Sequence, residues 1–172
     1  MTRLDQDDVW SLYASSLKRA KEKLAELSVF SGKEPHFSGL SGWVFEQTVQ
    51  HCIRKELKAK RVRAEVTEQV SLGGRAKADL VVGTVAIEIK TSGLFSLKDA
   101  TKYKRYRKAA EARGLRYVYL TWEESFLPYK RALDRALGKK NVFYLNDDGE
   151  WQRFIAFLAG SSSVRAGSQR AE

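Results

Sequence analysis

The chain has 172 residues, of which 43% are hydrophobic and 11% aromatic, a composition that excludes intrinsic disorder and favours one folded domain. Its single cysteine, Cys52, excludes an internal disulfide, and with only two histidines it also excludes a cysteine-cluster zinc site. Residues 1–20 lack an apolar signal region, and no apolar run reaches the roughly 18 residues of a membrane span. We therefore expect a cytoplasmic protein without a membrane partner.

The formal net charge of +10 favours a polyanionic partner, because each phosphate neutralised by Lys or Arg releases condensed counterions. Nucleic acid is the leading candidate. Ribosomal proteins and basic membrane-surface proteins share this charge, so the chemistry has to come from motifs.

Two helices and a group of strands are predicted in the first half of the chain. Residues 5–28 begin with acids and then place apolar side chains at helical spacing. Residues 31–39 contain Gly, Pro and Ser, which interrupt helices. Ser41 is positioned to cap a second helix that runs to about Lys58. From residue 64 the apolar period becomes two, with turns at 73–74 and 83–84, which predicts three antiparallel strands.

The second half alternates helices and strands. Residues 96–113 predict a helix that stops at Gly114, and residues 116–122 predict a strand. A helix at about 125–137, a short strand at 141–145 and a helix from about 150 to 159 follow, and residues 161–172 have the composition of a disordered tail. The order α-α-β-β-β-α-β-α-β-α predicts one α/β domain over residues 1–160, with helices around a central mixed sheet.

The predicted hairpin around Gly83 and Thr84 carries the informative polar residues. Counting outward from a turn of these two residues places Asp79 opposite Glu88. Alternation along the strand puts Lys90 on the same face as both carboxylates, while the apolar residues between them face the core. We therefore expect this polar face to be a site.

The opposed carboxylates need a compensating charge, because directly paired residues have Cβ atoms about 4.5–5.5 Å apart and like charges there are destabilising. A divalent cation supplies that charge, and oxygen ligands suit Mg²⁺. Lys90 is placed to orient or deprotonate an attacking water, or to stabilise charge developing on a phosphate. The alternative is a solvated strand face on which Asp79 pairs with Lys90 or Lys77.

These residues resemble the PD-(D/E)xK nuclease superfamily, which includes restriction enzymes, Holliday-junction resolvases and phage exonucleases. The resemblance covers about residues 40–122, with Ala78-Asp79 in place of the family's Pro-Asp and Glu88-Ile89-Lys90 following. It implies a restriction-endonuclease-like catalytic core preceded by a helical extension, 1–38. It also implies Mg²⁺, for which Mn²⁺ substitutes, held by Asp79, Glu88 and the carbonyl of Ile89, with Lys90 as the catalytic lysine and no small-molecule cofactor.

Two flanking helices extend the resemblance. The segment 42–46 is similar to a Gly-x-x-x-Glu signature in the helix before the sheet, which implies a catalytic-site role for Glu46. The alternative is a boundary glutamate paired with Arg54 or with a lysine. Many members carry a Gln followed four residues later by Tyr in the helix after the motif; here Tyr106 fits, and Lys102 stands where Gln is usual.

Basic residues concentrate on the predicted helix 96–113 and on the loop before Asp79. The candidates for contacting DNA are Arg75, Lys77, Lys98, Lys102, Lys104, Arg105, Tyr106 and Lys108. A second basic cluster, 54–63, ends the helix that carries Glu46. A solvated charged surface is the alternative for either cluster.

The sequence thus predicts a Mg²⁺-dependent DNA endonuclease, either site-specific, of restriction or homing type, or structure-specific, of junction-resolving type. Family members that cut both strands commonly act as symmetric dimers, so a homodimer is expected. The alternatives are a non-catalytic nucleic-acid-binding module of the same fold and a basic RNA-binding or scaffold protein, both of which predict no response to divalent metal.

Overall fold

The computed structural model describes residues 3–31, 39–124 and 126–167, with backbone alone at 28–31 and 162–167. Helices and strands follow one another in the predicted order, with one 3₁₀ turn, Lys139–Asn141, added. Their bounds are α1 Gln6–Ser31, α2 Leu40–Ala59, β1 Val66–Gly73, β2 Ala76–Val82, β3 Val85–Ser92, α3 Leu97–Glu111, β4 Arg116–Glu123, α4 Leu127–Leu137, β5 Val142–Tyr144 and α5 Glu150–Gly167.

The strands form one sheet in the order β1-β2-β3-β4-β5. The pairs β1–β2 and β2–β3 are antiparallel, while β3–β4 and β4–β5 are parallel. Val82 pairs with Val85, as the two-residue turn predicted. The α/β class and the mixed sheet are therefore confirmed.

Helices cover both faces of this sheet. On one face α1, α2 and α5 enclose an apolar core that includes Ile87 and Trp151. On the other face α3 and α4 cover a second apolar cluster that includes Tyr117 and Leu133. The polar face that carries Glu88 is covered as well, because parallel connections place helices on both sides of a sheet, and Glu88 is only 5% exposed.

The extension predicted for residues 1–38 is packed onto the domain as far as the described residues show it. Val9 and Tyr13 of α1 are buried against α2, and Trp10 stacks on Trp122 with ring centroids 4.3 Å apart. Neither α1, which is 26 residues long, nor any other helix in the described part of the chain is long and apolar enough to cross a membrane.

Helix ends differ from prediction at two places. Gly39, not Ser41, precedes α2, and its φ of 80° is one that glycine adopts without the steric cost of a Cβ. Helix α5 continues to Gly167, so residues 161–167 of the predicted tail are helical. Residues 168–172 of that tail and residues 32–38 of the predicted loop lie outside the described residues.

Candidate functional site

Three oxygen atoms converge on the ammonium group of Lys90. Its Nζ lies 3.1 Å from Asp79 Oδ2, 2.7 Å from Glu88 Oε1 and 3.0 Å from the carbonyl oxygen of Ile89. The structure thus brings together the predicted lysine and the three predicted oxygen donors. These donors surround one cationic position.

The end of regular pairing between β2 and β3 explains this arrangement. The register runs outward from the turn as far as Leu80 and Ile87. At the next position Asp79 Oδ2, instead of a backbone carbonyl, accepts the N–H of Ile89 at 2.8 Å. The expected opposition of Asp79 and Glu88 therefore takes the form of two carboxylates that share Lys90.

Glu88 is the most buried carboxylate of the cluster, and burial raises its pKa while the charge of Lys90 opposes that change. The hydroxyl of Tyr117 donates to Glu88 Oε2 at 3.3 Å. An unpaired buried charge costs several kcal/mol, so these two partners account for a carboxylate in this position. The alternative interpretation, a solvated strand face, is wrong for Glu88 because that carboxylate is buried. The ion pair between Asp79 and Lys90 that this alternative included is present.

Lys90 is a cation in this arrangement. Burial lowers its pKa, but Glu88 and Asp79 together raise it by more, so the pKa lies above the ordinary value for lysine. Its three oxygen contacts hold this charge between the two carboxylates. A fixed ammonium of this kind is suited to stabilising negative charge.

Glu46 reaches the same site from α2. Its Oε1 accepts hydrogen bonds from Gln50 Nε2 at 3.1 Å and from Gln69 Nε2 at 2.8 Å. Burial, followed by the charge of Asp79, raises the pKa of Glu46. Arg54, one of the alternative partners of Glu46, instead pairs with Glu68: its Nη2 lies 2.6 Å from Glu68 Oε1.

Three residues of this site were not predicted: Gln50, Gln69 and Tyr117. Gln50 is 1% exposed and lies one helical turn after Glu46, a spacing that could have indicated it. Gln69 has a left-handed backbone with φ of 50°, which typically costs an L-residue about 1–2 kcal/mol. No local pattern in the sequence predicts that conformation. Backbone strain of this kind is commonly found at functional sites.

Helix α3 brings further predicted residues towards the site. The charge of Lys102 acts to lower the pKa of Glu88, and its ammonium lies 4.7 Å from the ring centre of Tyr103. Tyr106 donates its hydroxyl to the carbonyl of Arg75 at 3.0 Å, so its side chain joins α3 to the β1–β2 turn.

The remaining candidates for contacting DNA lie on the protein surface. Arg75 and Lys77 are exposed in the β1–β2 hairpin. Four exposed basic side chains lie on α3: Lys98, Lys104, Arg105 and Lys108. The structure therefore leaves each of these cations accessible to a polyanion.

The donor set fits a hard divalent cation. Within the described residues no group of three or more His, Cys, Asp and Glu side chains is arranged to hold a metal. Asp79 and Glu88 with the Ile89 carbonyl form an all-oxygen set, and one or two carboxylates completed by water and phosphate is the usual protein environment of Mg²⁺. Lys90, whose side chain is 32% exposed, has to withdraw its ammonium for an ion to enter.

Comparison of the chain with protein families, with characterised proteins and with solved structures finds no match.

Proposed function

We propose that the chain is a metal-dependent endonuclease that hydrolyses phosphodiester bonds in DNA and is built on a restriction-endonuclease-like core. The proposal is carried by the convergence of oxygens from Asp79, Glu88 and Ile89 on one cationic position, at 2.7–3.1 Å from Lys90 Nζ. Two carboxylates that share such a position repel each other unless a cation lies between them. Mg²⁺ suits these oxygens, and Mn²⁺ is its substitute.

Each residue has a distinct part in this reaction. Asp79, Glu88 and the Ile89 carbonyl would hold the ion, which supplies Lewis-acid stabilisation of the phosphate and acidifies a bound water. The ammonium of Lys90 stabilises the negative charge that develops on the phosphate. Glu46, fixed by two glutamine amides, orients the attacking water by accepting one of its hydrogen bonds.

DNA is proposed as the substrate because the net charge of +10 is accompanied by exposed cations on α3, the helix that also carries Lys102 towards Glu88. Site-specific cleavage and junction-resolving cleavage are both compatible with this arrangement. A homodimer is proposed because a symmetric pair of sites can cut both strands. Light scattering should then give twice the 19.5 kDa mass of one chain.

The test is cleavage of supercoiled plasmid and of a four-way junction, each with Mg²⁺ and with EDTA. Wild type should cut only with Mg²⁺, and Asp79→Asn should lose at least about 100-fold in rate, because it removes a charge that holds the ion. Glu26→Gln is the matched control, since it neutralises an exposed carboxylate on α1. That control should cut like wild type.

Failure of this test has two distinct forms. DNA binding that responds neither to Mg²⁺ nor to Asp79→Asn, without cleavage, would favour a nucleic-acid-binding module of the same fold. Binding of RNA in preference to DNA, again without a metal response, would favour the RNA-binding alternative. Discrete plasmid fragments would assign site specificity, and preferential cutting of the junction would assign junction resolution.

A further inference from the structure

Four large apolar side chains are exposed where β3 and β4 end. Phe95 is 82% exposed, and the other three are more than half exposed: Leu97, Phe126 and Leu127. Two of the four follow β3 and two follow β4. The strands run parallel as far as the pair Ser92 and Glu123, so both segments leave the sheet at the same edge. We call these four side chains the apolar patch.

Contacts between the two segments hold the patch in place. The Glu124 carboxylate accepts the N–H of the residue after Gly93, and any Cβ at Gly93 would overlap that carboxylate. Tyr129 donates its hydroxyl to the carbonyl of Phe95 at 3.4 Å and packs its ring against Phe126, with centroids 4.7 Å apart. These contacts fix the backbone beside Phe95 and the ring of Phe126, which lowers the cost of ordering the two segments on binding.

The patch lies on the chain segments that follow β3 and β4, and both helices that begin there carry cations. Phe95 comes shortly after β3, the strand that carries Lys90. Lys98 is exposed on α3 and Arg131 is exposed on α4. The nearby carboxylate of Asp99 is engaged by the backbone N–H of Ser96 at 2.9 Å.

We infer that the apolar patch contacts the faces of unpaired bases beside the cleaved phosphate, so that the substrate class is DNA with interrupted base pairing. This inference rests on the proposed nuclease function. A ligand that matches both features has a polyanionic backbone and accessible apolar planes. Intact duplex presents phosphates but keeps its base faces inside the stack, whereas bulges, flaps and junctions expose them to aromatic side chains.

The test measures DNA binding by the full chain in EDTA, where the proposed nuclease cannot cut. The probes are a fluorescein-labelled duplex and the same duplex with an unpaired bulge that contains 2-aminopurine. Wild type should bind the bulged DNA roughly fivefold or more tightly than the duplex, because stacking of one base on an aromatic ring strengthens binding by about that factor. The same stacking should quench the fluorescence of 2-aminopurine. Phe95→Ala should remove the preference and the quenching while it leaves duplex affinity unchanged.

Leu27→Ala is the matched control, because it shortens a 62% exposed apolar side chain on α1 and should change neither readout. Equal affinity of wild type for both DNAs would overturn the inference and leave the nuclease proposal standing. Binding to neither DNA would also overturn the inference, while cleavage with Mg²⁺ would still decide the nuclease proposal. A change from dimer to monomer in Phe95→Ala, with the DNA preference intact, would assign the patch to a second copy of the chain and overturn the inference.

Discussion

At the scale of single residues, the stability of the site depends on how Glu88 is compensated. Its carboxylate is buried, and Lys90 is the cation that contacts it, at 2.7 Å. Removing one partner of a buried ion pair leaves the other charge without compensation, which costs more than the pair itself contributes. An ion held by the same oxygens would restore the missing charge.

Lys90→Met should therefore be destabilised in EDTA by about 1–3 kcal/mol and should recover part of that loss when Mg²⁺ is added. Turnover should be lost under both conditions, because the ammonium is the proposed stabiliser of phosphate charge. Urea unfolding with and without Mg²⁺ measures the first effect. The control is Lys23→Met, which replaces a side chain that is 75% exposed and should unfold like wild type. A variant of normal stability that ignores Mg²⁺ would contradict the proposed ion site.

Glu46→Gln tests the electrostatic environment of the second glutamate. Burial and the charge of Asp79 raise the pKa of Glu46, so the folded protein disfavours its ionised form. The ionised carboxylate therefore destabilises the fold, and this cost is fully present at pH values above the raised pKa. The cost disappears as the pH falls from the raised pKa to the pKa of Glu46 in the unfolded chain, because the folded state takes up the proton first. Glutamine keeps the carbonyl that accepts from Gln50 and Gln69 and removes the charge.

The expected result is a higher Tm than wild type at neutral pH, a difference that shrinks in mildly acidic buffer, and slower DNA cleavage. Thermal unfolding across this pH range measures it. Glu22→Gln, which neutralises an exposed carboxylate on α1, should show no such pattern. A lower Tm at neutral pH would mean that the charge of Glu46 stabilises the fold.

At the scale of elements, the distortion of β1 links strand geometry to the site. Gln69 donates to Glu46 at 2.8 Å from a backbone with φ of 50°. Glycine at this position relieves strain of about 1–2 kcal/mol, and loses about 0.5–1 kcal/mol in chain entropy and about 1 kcal/mol of hydrogen bonding. These contributions nearly cancel.

Gln69→Gly should accordingly keep its stability within about 1 kcal/mol while its cleavage rate falls, because Glu46 loses an orienting partner. Gln69→Val, which is β-branched and gains no such relief, should be destabilised by about 1–2 kcal/mol. Denaturant unfolding and cleavage rates of the two variants separate the roles of backbone and side chain. Equal rates in wild type and Gln69→Gly would remove Gln69 from the site.

The order of elements and the register of the central hairpin were predictable because both depend on local signals: apolar period, turn residues and breakers. The same register predicts that Asp79, Glu88 and Lys90 lie together. The cover over Glu88, the hydroxyl of Tyr117 and the conformation of Gln69 could not be predicted, because each depends on residues distant in sequence. Capping by Ser41 was wrong because glycine permits a left-handed start one residue before the helix.

At the scale of the whole molecule, the distribution of charge indicates where the proposed DNA substrate would lie. Exposed cations occur on α3 and also at the end of α2, where Arg54, Lys55 and Lys58 line one cleft. A cation that only contacts water has no effect on the salt dependence of binding. A cation that neutralises a phosphate contributes to the slope of log K against log salt concentration.

We expect Lys104→Ala on α3 to reduce the magnitude of this slope by about 1. The variant should weaken binding to duplex DNA and to bulged DNA by the same factor, because a phosphate contact does not distinguish sequence or structure. Anisotropy titrations over a range of salt concentrations measure the slope. Lys18→Ala, an exposed lysine on α1, should leave it unchanged. A slope that responds to Lys58→Ala and not to Lys104→Ala would place the backbone along the end of α2, on the side from which Glu46 enters the site.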